Sequence, residues 1–233
     1  MAHDVLGHAL NDYLNGKLTD RLMLYTSYGT LEEMPVEEFF RSPDDLPELE
    51  YLALALCDGH VLDVGAGAGS HALYLQSKGV EVDALEISPM ACNVMRQRGI
   101  RHVIEADFFQ YSGRTYDTLL FLMNGIGIAS NLDRLETLFA HSRSLLNPGG
   151  QLLFDSSDIA YLYADGLLAK PVGYYGEISY RYTYKGLLGE RFTWLFIDQE
   201  TLIQVGRSAG WVVQILYEDE YGQYLARMEL RDQ

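Results

Sequence analysis

The sequence has 233 residues, of which 48% are hydrophobic and 21% charged, a composition that indicates a folded globular protein and excludes a disordered chain. The formal net charge of −16 at pH 7 makes DNA or a large RNA an unfavourable partner, because an acidic surface repels a phosphate backbone. The sequence contains no apolar stretch long enough to span a bilayer and no basic N-terminal region followed by an apolar run, so we expect a cytoplasmic protein without membrane contact.

Residues 1–50 form an acidic first segment, which is interrupted by Pro35, Pro43 and Pro47. Because proline ends or breaks a helix, we expect several short helices here. We interpret residues 1–50 as a helical lid and residues 51–233 as one α/β domain.

From Gly59 onward, apolar strands alternate with helices. The pattern predicts strands at Val61–Val64, Val80–Glu86, His102–Glu105, Tyr116–Leu122 and Gln151–Phe154. It predicts helices at Ser70–Lys78, from Ser88-Pro89 to about Arg98, and at Leu132–Leu146. Such alternation is typical of parallel strands with helices on both faces, and ligands of these sheets bind outside the carboxyl ends of the strands. A basic group at the end of the second helix is expected to complement the helix dipole; its members are Arg96, Arg98 and Arg101.

A tyrosine-rich stretch at about residues 161–197 breaks this alternation and is predicted to be an inserted antiparallel hairpin. Its strands are predicted at Glu177–Tyr184 and Arg191–Ile197. A further helix then begins at Asp198, and two antiparallel strands end the chain. The predicted fold is therefore α/β: a seven-stranded, mostly parallel, doubly wound sheet with an antiparallel C-terminal strand, a helical N-terminal segment and the inserted hairpin.

The segment Val61–Ser70, VLDVGAGAGS, places three glycines between a strand and a helix. Such a turn brings backbone N–H groups and the positive end of a helix to one place, where a ligand can approach the main chain closely. A dinucleotide fingerprint requires glycines at relative positions one, three and six, and Ser70 fails the last. The D-x-G-x-G-x-G spacing instead resembles the first motif of the class I, Rossmann-like S-adenosylmethionine-dependent methyltransferases.

This resemblance extends over about Val61–Phe154 and implies S-adenosyl-L-methionine as the cofactor. In this family an acid that ends the second strand accepts from both ribose hydroxyls, which implies Glu86, followed by Ile87. An acid after the third strand accepts from the adenine amino group, which implies Asp107 and Phe108; the alternatives are a loop cap and core packing. The complete set of cofactor-binding residues implied is Asp63, Gly65, Ala66, Gly67, Gly69, Glu86, Ile87, Asp107, Phe108, Asn124 and Tyr28.

The remaining members of this set have less specific roles. The acid of the family's first motif steadies the glycine loop, which implies that role for Asp63, and Asn124 ends the fourth strand, where the family contacts the methionine portion. Tyr28 would close over the methionine end of the cofactor, with packing as an equal alternative. The sequence that begins at Asn124, NGIG, departs from the [ND]-P-P-[YFW] motif of enzymes that methylate nucleic-acid bases or glutamine amides.

We therefore expect methyl transfer to a small-molecule acceptor by in-line attack on the sulfonium methyl group. The alternatives are another nucleotide-binding enzyme that uses NAD or a nucleotide sugar, and a non-catalytic cofactor-binding module. No catalytic residue can be assigned, and an oxygen, carbon, sulfur or nitrogen acceptor remains open. No histidine or cysteine pair has metal-ligand spacing, so no metal is expected. Both a monomer and a dimer are compatible with the sequence.

Overall fold

The computed structural model describes residues 4–29 and 31–231 of the chain. These residues form six α-helices: α1 (Val5–Leu14), α2 (Glu48–Ala55), α3 (Ser70–Ser77), α4 (Pro89–Gln97), α5 (Leu132–Leu145) and α6 (Gln199–Ser208). They also form twelve strands: β1 (Met23–Thr26), β2 (Leu31–Glu33), β3 (His60–Val64), β4 (Glu81–Glu86), β5 (Val103–Glu105), β6 (Tyr116–Phe121), β7 (Leu146–Ser157), β8 (Glu177–Tyr184), β9 (Leu187–Leu188), β10 (Phe192–Leu195), β11 (Trp211–Glu218) and β12 (Gln223–Leu230). None of these helices has both the length and the apolar character that a membrane span requires.

The main sheet has seven strands in the order β11-β12-β7-β6-β3-β4-β5. Strand β4 is parallel to β5 and β6 is parallel to β7, whereas β12 is antiparallel to both β7 and β11. Strand β6 is buried along almost its whole length, as expected for a strand covered on both faces. The predicted seven-stranded, mostly parallel α/β sheet with an antiparallel C-terminal strand is thereby confirmed.

Capping residues determine where two of the helices that follow strands of the main sheet begin. The Ser88 hydroxyl accepts from the backbone N–H of Ala91, and Pro89 occupies the first helical position of α4. Asp198 accepts from the backbone N–H of Thr201 at the start of α6. Both side chains satisfy an N–H group that has no partner within the helix, which is why the sequence predicted these starts correctly.

The N-terminal segment is helical only in part. Helix α1 and the short 3-10 helices Val36–Phe40 and Pro43–Asp45 agree with the prediction, but β1 and β2 are strands. They belong to a second sheet with the order β10-β8-β1-β2, in which β9 also pairs with β8. Strand β1 pairs antiparallel with β8, a strand from the inserted hairpin. Because that partner lies far away along the chain, no local periodicity could predict these strands.

The described chain divides into two compact units. The first unit contains the segments up to Leu46, Leu62–Tyr111 and Ser179–Phe192. Its interior joins α1 to α4 and to the glycine loop through buried apolar side chains such as Leu10, Ala68 and Val94. The Asp4 carboxylate caps α1 and also accepts from the Ser88 hydroxyl at 2.6 Å.

The second unit contains the segments Pro47–Val61, Ser112–Ile178 and the part of the described chain from Thr193 onward. Trp211 and Phe139 pack in its core with ring centroids 6.1 Å apart. The chain leaves β6 through a turn at Met123 and Asn124, which is the part of this unit that the sequence assigned to the cofactor.

Candidate cofactor site

The glycine loop between β3 and α3 has a backbone that favours glycine at three positions. The φ angles of Gly65, Gly67 and Gly69 are 72°, 56° and 83°, all in the left-handed region. The backbone N–H groups of Gly65 and Ala66 both donate to the Leu85 carbonyl, at 2.9 and 3.1 Å. The loop is therefore fixed to the neighbouring strand β4.

The three glycines differ in what surrounds them. A Cβ atom at Gly69 would collide with the side chains of Ile100 and Met95, and one at Gly67 would lie 3.1 Å from Cδ1 of Phe39. A Cβ atom at Gly65 would meet nothing within 4 Å. Gly65 therefore faces open space, whereas Gly67 and Gly69 are needed for packing as well as for their φ angles.

Glu86 ends β4, and its carboxylate is hydrogen-bonded to the glycine loop. Its side chain is 7% exposed; Oε2 accepts from the backbone N–H of Gly67 and Oε1 from that of Ser88, both at 2.9 Å. Burial raises the pKa of Glu86 above its usual range, while the backbone hydrogen bonds act in the opposite direction. Each carboxylate oxygen can accept a second hydrogen bond, so the group retains acceptor capacity for a ligand.

Three further residues of the predicted set, Ile87 and the adenine-assigned Asp107 and Phe108, follow the ends of β4 and β5. Ile87 is 67% exposed, which is unusual for an isoleucine directly after a buried strand. The Asp107 Oδ1 atom accepts from the backbone N–H of Phe109 at 2.9 Å, as in the loop-cap alternative. Phe108 is 4% exposed and contacts the Phe109 ring edge to face, with centroids 5.5 Å apart. The Phe108 ring thus packs in the interior.

Asp63 is the penultimate residue of β3, just before the loop, and its side chain is buried. His71, in the first turn of α3, is buried as well. Both side chains therefore lie in the interior of the first unit, and the role of Asp63 stays a prediction. Within residues 4–29 and 31–231, no group of three or more His, Cys, Asp or Glu side chains could hold a metal ion.

Two tyrosines of the first unit lie in or next to the second sheet: Tyr28 in the turn between β1 and β2, and Tyr182 in β8. The Tyr28 hydroxyl donates to Glu32 Oε1 at 2.8 Å, and burial, reinforced by this bond, raises the pKa of Tyr28. Burial, and to a smaller extent the charge of Glu86, raise the pKa of Tyr182 to about 12. Its ring packs against the buried cluster of the unit that includes Ala68.

Sequence reasoning missed Phe39 and the part that Arg98 plays. Arg98 was expected to complement a helix dipole, and it does lie at the C-cap of α4. Its Nη1 atom also donates to the Ala68 carbonyl of the glycine loop at 2.6 Å. The only signal in the sequence was a basic side chain at a helix end, which does not specify a partner.

Asn124 belongs to the second unit and lies in a strained turn. Met123 and Asn124 have φ angles of 61° and 54°, and such left-handed residues cluster at functional sites. The Asn124 backbone N–H lies 2.9 Å from both oxygens of the buried Asp155 carboxylate, and the Asn124 carbonyl accepts from Trp194 Nε1 at 2.9 Å. The sequence suggested neither Asp155 nor Trp194 as a support of this turn.

Comparison with known proteins identifies the family. Residues 61–150 match the family model described as a methyltransferase domain. A solved S-adenosylmethionine-dependent methyltransferase from Bacteroides fragilis, in complex with S-adenosyl-L-homocysteine, shares 40% sequence identity with this chain. The similarity covers 97% of this chain and 94% of that chain, with a TM-score of 0.91. A search of the curated protein sequences finds no match.

More distant structures share the fold. The DhpI-SAH complex is 22% identical over 78% of this chain and 81% of that chain, with a TM-score of 0.58. The glycopeptide N-methyltransferase MtfA, complexed with S-adenosyl-L-homocysteine, is 16% identical over 78% and 86%, also with a TM-score of 0.58. The 40% identity with the Bacteroides fragilis enzyme over 97% of this chain shows that the chain belongs to the S-adenosylmethionine-dependent methyltransferases. Its cofactor is S-adenosyl-L-methionine.

Proposed function

We propose that the first unit holds the cofactor across the carboxyl ends of β3, β4 and β5, which are neighbours in the main sheet. The observation that carries this proposal is the hydrogen bond from Gly67 N to Glu86, which joins two parts of the expected site. Strand ends of a parallel sheet are where ligands of such folds bind.

The proposed site fits an adenosine cofactor residue by residue. Gly65 offers backbone and open space to the methionine portion, with Ala66, Gly67 and Gly69 shaping the loop and Asp63 beneath it. Glu86 accepts from the two ribose hydroxyls. The exposed Ile87 side chain supplies an apolar surface for one face of the adenine ring. Asp107 accepts from the adenine amino group through its second oxygen, and Phe108 contributes through its backbone, since its ring is buried.

When bound, S-adenosyl-L-methionine supplies a methyl group on a positively charged sulfur, which a nucleophile attacks in line. The residues described above bind and orient the cofactor. None of them has to form or break a bond in the methyl transfer. A general base is needed only where the acceptor must lose a proton before the attack, and we assign none. We keep Tyr28 and Asn124 as proposed contacts of the methionine portion.

We propose a small molecule as the methyl acceptor. The second sheet supports this, because Tyr182 of β8 packs against the buried cluster that includes Ala68 of the glycine loop, and so a strand of the inserted hairpin covers the first unit there. A covered site favours a small acceptor over a polymer. The net charge of −16 adds a long-range repulsion against nucleic acids. We also propose a cytoplasmic location, since Cys57 and Cys92 are both in the reduced state, as is usual in the cytosol.

Transfer of a labelled methyl group tests the acceptor. The protein is incubated with methyl-labelled S-adenosyl-L-methionine and, separately, with a panel of small metabolites, DNA, RNA and unfolded protein. We expect label on a small molecule and none on the polymers. Label on a polymer would contradict the proposal, and tight cofactor binding without transfer to any acceptor would favour the non-catalytic module.

Calorimetric titration tests the cofactor separately from the acceptor. We expect S-adenosyl-L-homocysteine to bind and NAD not to bind at the same protein concentration. Selective binding of NAD would contradict the proposed cofactor site.

A further inference from the structure

The Arg98 side chain reaches back from the C-cap of α4 to the glycine loop. Its Nη1 atom lies 2.6 Å from the Ala68 carbonyl oxygen, 3.3 Å from the Ser70 hydroxyl and 3.5 Å from the Phe39 carbonyl oxygen. The guanidinium carbon lies 4.8 Å from the centre of the Phe40 ring, which is cation–π geometry. One cation therefore contacts both the glycine loop and the 3-10 helix Val36–Phe40.

The same 3-10 helix also contacts the loop directly. The Ser70 hydroxyl donates to the Phe39 carbonyl at 2.7 Å, and the Phe39 ring lies against Gly67. Arg98, Ser70 and Phe39 thus hold the loop at three successive places: the Gly67 backbone, the Ala68 carbonyl and the start of α3. We call these three residues the loop clamp.

The clamp acts on the part of the loop that holds Glu86. Gly67, which contacts Phe39, donates its backbone N–H to Glu86 Oε2, and Ala68, whose carbonyl binds Arg98, follows directly. Glycines in the left-handed region have many alternative conformations and lose the most entropy on becoming ordered. A charge-assisted hydrogen bond to the loop carbonyl reduces those alternatives before a ligand arrives.

We propose that Arg98 is a positioning residue for the cofactor: it holds the glycine loop in its binding conformation and couples the loop to the N-terminal segment through Phe39. This inference rests on the proposed placement of the cofactor at the loop and Glu86. Arg98 itself need not touch the cofactor, because its contacts are with Ala68, Ser70, Phe39 and Phe40. Burial lowers the pKa of Arg98, consistent with a guanidinium enclosed by these groups.

The test compares variants of the full chain by calorimetric titration with S-adenosyl-L-homocysteine and by amide hydrogen exchange. Arg98→Met removes the charge and the donors but keeps the length of the side chain. Arg98→Lys restores the charge and one donor. Arg96→Met is the matched control, since Arg96 lies on the same helix and pairs with Glu105 at 3.8 Å instead of with the loop.

We expect Arg98→Met to raise the Kd about tenfold, which corresponds to about 1.4 kcal/mol, and to speed exchange in the loop and in residues 36–40. Arg98→Lys should recover part of the affinity, and Arg96→Met should bind like the wild type. A merely structural role would lower the melting temperature without changing the Kd of the folded protein, and that result would overturn the proposal.

Two further variants keep the outcomes distinct. If Arg98→Met does not fold, Ser70→Ala takes its place, because it removes one hydrogen bond of the clamp. A wild-type Kd in Ser70→Ala, together with unchanged amide hydrogen exchange in the loop, would overturn the proposal. Glu86→Ala separates this inference from the proposed function. Weaker binding in Glu86→Ala but not in Arg98→Met would overturn the clamp alone. Unchanged binding in Glu86→Ala, or no binding by the wild type, would overturn the cofactor placement and the clamp with it.

Discussion

Replacement of Glu86 by alanine is the sharpest perturbation of the proposed ribose site. The wild-type carboxylate uses one hydrogen bond per oxygen for Gly67 and Ser88, and the remaining lone pairs are available for the ribose hydroxyls. Charge-assisted hydrogen bonds are stronger than neutral ones, so their loss should weaken cofactor binding by about 1–3 kcal/mol. That corresponds to a rise in Kd of about 5- to 150-fold. The two backbone N–H groups also lose their acceptor, so a modest loss of stability is expected as well.

The assay is calorimetric titration with S-adenosyl-L-homocysteine at a temperature where circular dichroism shows the variant to be folded. Glu105→Ala is the matched control, because Glu105 is the register partner of Glu86 on the parallel strand β5 and is exposed. The control should bind like the wild type. An unchanged Kd in folded Glu86→Ala would refute the assignment of the ribose site.

Three further predictions concern the loop, the turn and the carboxyl group. Gly65→Ala and Gly79→Ala should each lower the free energy of unfolding by about 1–2 kcal/mol, since both glycines have a positive φ angle and open space around them. Only Gly65→Ala should raise the Kd for S-adenosyl-L-homocysteine, and equal Kd values for the two variants would contradict the proposed site. Asp155→Ala should cost about 1–3 kcal/mol in chemical denaturation, because the Asn124 N–H loses its acceptor, and an unchanged midpoint would contradict this. Because burial raises the pKa of Glu86 above its usual 4.5, the Kd should rise on acidification before pH 4.5 is reached, and a pH-independent Kd would contradict the role of the ionised group.

The sequence predicted those features that depend on short stretches of chain. The strand, the glycine loop and the helix at Val61–Ser77 follow from one motif, and the start of α4 follows from the Ser88-Pro89 capping signal. Asp107 illustrates a limit of the same approach. Its place after β5 was predicted, but its bond to Phe109 is a loop cap, and only a bound ligand would show a second role.

Features that depend on partners far apart in sequence could not be predicted. Strand β1 has only four residues and is fixed by β8, more than 150 residues away. Arg98 was recognisable as a cation at a helix end, but the fold brings the carbonyl groups of Ala68 and Phe39 to it. The left-handed turn at Asn124 could not be predicted for the same reason, because the buried Asp155 that supports it lies on another strand, β7.

A crystal structure of this protein with S-adenosyl-L-homocysteine tests the central claim most directly. We predict both ribose hydroxyls within about 2.6–3.2 Å of the Glu86 carboxylate, and the adenine amino group at the same range from Asp107. The adenine ring should contact Ile87, and the homocysteine portion should lie along the Gly65 backbone. A nucleoside bound elsewhere, with Glu86 bonded only to Gly67 and Ser88, would contradict the account.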